Sequence, residues 1–179
     1  MPEFGYTAWG MDWVRLAEPL RVTRPEPLLP RARSIARSLA VQAVVEGRCV
    51  RASIHRGSQA SVTHLEFEPM TGQAAAAIAA VIGPDPSVLT DDDHRALVAA
   101  GASPAPTLVA ADCSCPARKS RCLHVLATLY DLARRVDETP HLALALQSFG
   151  APRATAGSAP RWIPLTTLDP AAYFTVPRM

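Results

Sequence analysis

Asp112-Cys113-Ser114-Cys115-Pro116-Ala117-Arg118-Lys119-Ser120-Arg121-Cys122-Leu123-His124 gathers three of the four cysteines and one of the five histidines into thirteen consecutive residues. Two thiols one residue apart, a six-residue basic loop, then a thiol and an imidazole one residue apart offer three sulfur ligands and one nitrogen ligand. That donor set suits tetrahedral zinc.

Spacing also fixes how the ligands must be held. Leu123, Val125, Leu126, Leu129, Tyr130, Leu132, Ala133 and Val136 recur at helical intervals, so a helix of about four turns is expected from near Cys122 to near Val136. Residues two apart on a regular helix point about 200° apart. Cys122 and His124 can therefore share a metal only if Cys122 stands at or before the first turn and His124 reaches back from it. Upstream, residues 106–111 read as a short extended segment that delivers Cys113 and Cys115 from a turn that Pro116 helps to end. The expected centre is a zinc held between a strand end and a helix start, with the positive end of the helix dipole facing the thiolates. Zinc with three thiolates and a neutral imidazole carries net charge of about −1, which Arg118, Lys119 and Arg121 offset; the same three residues present a basic loop to nucleic acid phosphates.

Cys-x-Cys, a variable loop and Cys-x-His leading into an apolar helix resemble the SWIM zinc finger, with Cys113, Cys115, Cys122 and His124 as the matching residues. His141-Leu142-Ala143-Leu144-Ala145-Leu146 is similar to the second helix that trails this finger in bacterial members. Trp9-Gly10-Met11-Asp12-Trp13 resembles their opening Trp-Gly-x-x-Trp segment, and Arg31-Ala32-Arg33-Ser34-Ile35-Ala36-Arg37 their Arg-x-Arg-x-x-Ala-Arg segment before the first strand. The resemblance implies a module found beside DNA-handling machinery: Swi/Snf-type helicase-like ATPases in bacteria, Mutator-type transposases, and recombinase-paralogue complexes in eukaryotes. In that family the finger binds DNA or protein. One structural zinc, a protein partner such as a helicase-like ATPase, and DNA are thus the expected associates, with Arg31, Arg33, Arg37, Arg118, Lys119 and Arg121 the candidate phosphate contacts. A pure protein adaptor with no nucleic acid contact is the alternative.

With 179 residues, 49% of them apolar, the chain is long enough to bury a core, and its net charge of +2 does not by itself announce nucleic acid binding. Lys119 is the only lysine and asparagine is absent, a bias that GC-rich coding produces. No apolar run approaches membrane-spanning length and the first residues lack a signal-peptide pattern, so a cytosolic protein is expected. In that reducing compartment clustered thiols read as metal ligands, and the remaining Cys49 as a small core residue.

The expected fold class is α+β: a three-stranded antiparallel meander covered by helices, followed by the finger and a tail. Residues 1–38 hold an aromatic helix capped by Thr7, a proline-punctuated connector and the basic helix; its tryptophans are read as core, not as a stacking platform for bases. Residues 39–105 hold the meander, from the alternating runs at 41–45, 50–54 and 60–68, and two helices over 71–82 and from Thr90 to Gly101. Thr90 and Asp93 stand at capping-box spacing, so Asp91-Asp92-Asp93-His94 is read as a helix start and not a metal site. Residues 106–150 hold the finger and a last helix from Thr139-Pro140 to Gly150. His141 lies about 20 Å along the preceding helix from the thiols and is excluded as a ligand. Residues 151–179 form a tail with aromatic islands, expected to dock on its own domain or on a partner. A four-ligand metal leaves no position for water or substrate, and no phosphate loop or nucleophile elbow is present, so no enzymatic activity and no small-molecule substrate are expected.

Overall fold

Alternation between residues 41 and 67 produces three successive antiparallel strands, β1 (Val41–Glu46), β2 (Cys49–Arg56) and β3 (Gln59–Phe67), in a computed structural model that describes residues 3–150 apart from 21–25, 58, 85, 87 and 118. The tail at 151–179, the middle of the proline connector and Arg118 lie outside the described residues. Each hairpin closes over two residues, with Glu46 opposite Cys49 and Arg56 opposite Gln59. Both loops begin on a glycine in the left-handed region, Gly47 at φ +61° and Gly57 at φ +60°, where a β-carbon would be strained. Val41, Val50, Ala52, Ile54, Leu65 and Phe67 face the core. Cys49 is half-buried and not the expected core residue: with Val50 turned inward, the pleat puts its neighbour on the opposite face.

The sequence predicts three strands, and the sheet has four, in the order β1-β2-β3-β4. The added strand is β4 (Leu108–Cys113), which sequence reading takes only as an approach to the thiols. It lies antiparallel on β3, with Thr63 opposite Cys113 and Phe67 opposite Leu108. The finger is thereby continuous with the meander. Leu-Val-Ala-Ala-Asp-Cys hardly alternates, because an edge strand with no fully buried position is under weak pressure to alternate.

Six helices are formed among the described residues. In α1 (Ala8–Ala17) the Thr7 hydroxyl accepts from the Gly10 amide, and Trp9 and Trp13 are 1% and 0% exposed, which makes them core residues. The Trp13 ring lies 4.8 Å from that of Phe67. In α2 (Leu29–Arg37) Pro30 sits in the first turn, where its missing N–H costs nothing, and Ala32 and Ala36 are buried. Thr71 caps α3 (Gly72–Ile82), and Thr90 and Asp93 form the expected capping box at the start of α4 (Asp91–Ala99). The helix expected to run to Gly150 is short: α6 (His141–Ala145) ends early, and its N-cap is Pro140, with no side-chain cap bond. Thr139 instead closes the preceding helix, α5 (Leu123–Glu138), through its N–H on the Arg135 carbonyl.

α5 is the axis of the molecule, packed against α1, α2 and the sheet, and Val125, Leu126, Leu129, Leu132, Ala133 and Val136 are at most 1% exposed. Two buried acids tie α1 into place. Asp137 on α5 accepts from the Gly5 amide (2.6 Å), the Thr7 amide (2.9 Å) and the Thr7 hydroxyl (2.7 Å). Asp12 pairs with His94 Nε2 on α4 at 2.8 Å, and the Trp9 indole donates to the Thr90 carbonyl at 2.8 Å. A β-carbon on Gly10 would overlap the Asp137 carboxylate, which explains a glycine inside a helix.

Candidate metal centre

Backbone pairing delivers the first two ligands. Cys113 ends β4 opposite Thr63, and the turn that carries Cys115 is hooked back onto β3: the Ser114 amide donates to the Val62 carbonyl and the Val62 amide to the Ser114 hydroxyl, both at 2.9 Å. The other two come from the start of α5. Cys122 is its N-cap, in extended conformation at φ −73° and ψ 168°, and its carbonyl accepts the first helical bond from Leu126. It makes no side-chain cap bond, which leaves the thiol for other use. His124 follows in the first turn, as the angular argument from sequence requires. Its carbonyl accepts from the Thr128 hydroxyl at 3.0 Å, and that hydroxyl also meets Thr63 at 3.0 Å.

The Sγ atoms of Cys113, Cys115 and Cys122 and a ring nitrogen of His124 lie within 4.8 Å of one another, and Cys113 Sγ is 3.8 Å from His124 Nδ1. Zinc–sulfur bonds of about 2.3 Å and zinc–nitrogen bonds of about 2.0 Å at tetrahedral angles give edges of about 3.5–3.8 Å, so the Cys113–His124 separation is that of a zinc tetrahedron, the 4.8 Å outer limit of the cluster is about 1 Å wider, and the donor set is one that zinc takes. Cys115 and Cys122 are buried, Cys113 and His124 half-buried. His141 is bonded to the Pro86 carbonyl instead and is not in the cluster. The match of donor set and geometry extends to the sequence family: the model of the SWIM zinc finger matches residues 97–133. The chain carries a SWIM zinc finger. Comparison with curated proteins and with solved structures gives no match. The matched stretch covers β4, the loop and most of α5; the meander and α1 lie outside it.

The two thiols of the Cys-x-Cys pair hold their protons differently. Burial, reinforced by the neighbouring thiols of Cys115 and Cys122, pushes the Cys113 thiol up to about 12. Cys115 moves the other way: burial resists its ionisation, but the Ala117 amide and the thiols of Cys113 and Cys122 outweigh it. A divalent ion would offset the burial and the neighbouring thiols that hold the proton on Cys113, so metal binding and loss of that proton are coupled.

Of the six basic residues singled out from sequence, Arg118 lies outside the described residues and the other five fall into different settings. Arg121 turns from the finger toward α1, where its guanidinium donates to the last carbonyls, Leu16 (2.9 Å) and Ala17 (2.5 Å). Arg33 bonds to Glu18 at 2.5 Å and to the Tyr130 hydroxyl at 3.1 Å. Arg37 forms a two-pronged ion pair with Glu3. Arg31 and Lys119 are exposed and enter no ion pair among the described residues, and both line one groove beside the thiols. Sequence reading missed Asp12, His94 and Asp137 as buried groups, although Gly10 within a helix was a signal of close approach.

Proposed function

We propose that the protein is a non-enzymatic SWIM accessory subunit, in which one structural zinc closes the finger and an exposed face recognises a protein partner in cytoplasmic DNA-handling machinery. A helicase-like ATPase is the partner class that the resemblance implies. A single observation carries the preference for protein over nucleic acid: Arg33, Arg37 and Arg121 are engaged by internal acids and carbonyls, which leaves Arg31 and Lys119 as the exposed, unpaired cations among the described candidates. The absence of an open coordination position supports a structural metal, since three thiolates and an imidazole complete a tetrahedron.

Direct nucleic acid contact is the second reading, favoured by the placement of Arg31 and Lys119 on one groove. A salt titration separates the two. Contact through these two cations gives a log–log slope of about −2 on duplex DNA, whereas contact through all six basic candidates gives about −5. Binding with the steeper slope would refute the reading of a protein-recognition module. Metal content with and without Cys122→Ser tests the zinc: a stoichiometric ion that survives this change overturns the ligand assignment.

A further inference from the structure

The groove beside the finger has an acceptor edge as well as charge. It holds about 430 Å³ and is walled by Leu28 and Arg31 of the α2 region, Gln59 and Ser61 of β3, and Pro116, Lys119 and Leu123 of the finger, with the metal ligands at one end. β4 stops opposite Thr63, and Ser114 completes the pairing at Val62, so from Ser61 back to Gln59 the β4 side of β3 has no neighbouring strand. Backbone groups alternate in direction along a strand. Ala60 therefore points its N–H and C=O the same way as Val62, past the end of β4, between Gln59 and Ser61, which line the groove. No acidic side chain is among the described lining residues, and Arg31 and Lys119 are both exposed.

We propose that this groove takes an extended acidic segment of a partner protein, which continues the sheet beside β3 for a few residues and sets its carboxylates against Arg31 and Lys119. This rests on the protein-recognition reading above and names the chemistry of the partner. An open strand edge gives main-chain affinity to any extended chain, apolar Leu28, Pro116 and Leu123 accept alternate side chains, and the two cations select acid over base. Single-stranded nucleic acid fits less well. Apart from the imidazole of His124, which belongs to the metal cluster, the groove offers no aromatic ring for bases to stack on among its described lining residues, and Trp9 and Trp13 lie in the core.

The test uses the full zinc-loaded chain, labelled for amide spectra, with a short peptide of alternating glutamate and valine as probe. Its lysine–valine counterpart and an oligothymidine of equal length are the comparisons. The glutamate peptide is expected to shift the amides of Gln59, Ala60, Ser61, Lys119 and Leu123, and the lysine peptide to leave them in place. Reversal of both exposed charges, Arg31→Glu with Lys119→Glu, is expected to weaken the glutamate peptide by about tenfold. Shifts confined to another surface, equal response to both peptides, or tighter binding of oligothymidine at these residues would each overturn the proposal. Zinc content measured on the same samples keeps the outcomes apart: a zinc-loaded chain whose groove ignores every probe loses this proposal alone, whereas a chain that holds no zinc loses the module itself.

Discussion

Thr63 on β3 and Thr128 on α5 meet hydroxyl to hydroxyl at 3.0 Å, and both are 0% exposed. Thr63 stands opposite Cys113 in the sheet, and Thr128 donates to the carbonyl of His124. The pair thus joins the strand that presents the first ligand to the helix turn that presents the last, with no help from a metal. A buried hydroxyl that loses its partner costs about 1–3 kcal/mol, but replacement of both by apolar groups of the same shape is nearly neutral. Thr63→Val and Thr128→Val are therefore expected to destabilise singly by about that amount and together by less than their sum. Denaturant unfolding of the four proteins in the cycle measures this, and strictly additive losses would dissolve the link.

Removal of zinc should accordingly loosen the finger and leave the fold. The sheet, the Trp9 and Trp13 core and the Arg121 contacts with α1 are independent of the ligand atoms. Chelation is expected to lower the melting temperature and increase amide exchange at residues 114–121, while most of the helical dichroism persists. Complete unfolding, as in small zinc fingers whose folding energy is the metal's, would show that the core is weaker than its burial indicates.

The pH dependence should change sign with the metal. In the metal-free protein the Cys113 thiol has a raised folded-state value of about 12 against an ordinary 9.0, so its stabilising effect is present below about pH 9 and is lost as pH rises toward 12. Zinc binding must expel that proton, so zinc affinity rises with pH and falls in acid. Parallel melting curves of both forms between neutral and alkaline pH test the contrast; a metal-free form that gains stability above pH 9 contradicts it.

Gly10→Ala asks whether the helix-to-helix tie around Asp137 is as close as it looks. The new methyl group would displace a carboxylate that accepts bonds from the Gly5 amide, the Thr7 amide and the Thr7 hydroxyl. Alanine elsewhere in a helix interior stabilises by about 0.5–1 kcal/mol over glycine; here overpacking of about 1–3 kcal/mol reverses the sign. An increase in stability would mean that Asp137 moves aside freely.

What could be read from the chain was local. The thiol and imidazole spacing, Cys122 ahead of the first helical turn, and the Thr7 and Thr90 caps each depend on residues within one or two turns of each other. What escaped was long-range. β4 declares itself only through pairing with β3, and Asp12, His94 and Asp137 look like ordinary helix-surface residues until α1, α4 and α5 are packed together. The same holds for the arginines: composition counts a charge, but only the fold shows that Arg33 and Arg37 have acids waiting.

Arg121 offers the sharpest separation of the two roles that its sequence position allows. It lies in the basic loop of the finger, yet both of its terminal nitrogens hold the carbonyls of Leu16 and Ala17, which α1 leaves open at its C-terminus. A cation there also offsets the negative end of the helix dipole. Arg121→Gln is expected to cost about 1–2 kcal/mol of stability, through lost bonds to carbonyls, and to leave any salt slope of DNA binding unchanged. Arg31→Gln and Lys119→Gln should do the reverse: near-neutral in stability, because both are exposed, and each reducing the slope by about 1 if phosphates are contacted at all. The readouts are denaturant midpoint and the log–log slope for each variant. A fall in slope for Arg121→Gln without a loss of stability would return that residue to the nucleic acid face and reverse the argument from which protein recognition was preferred.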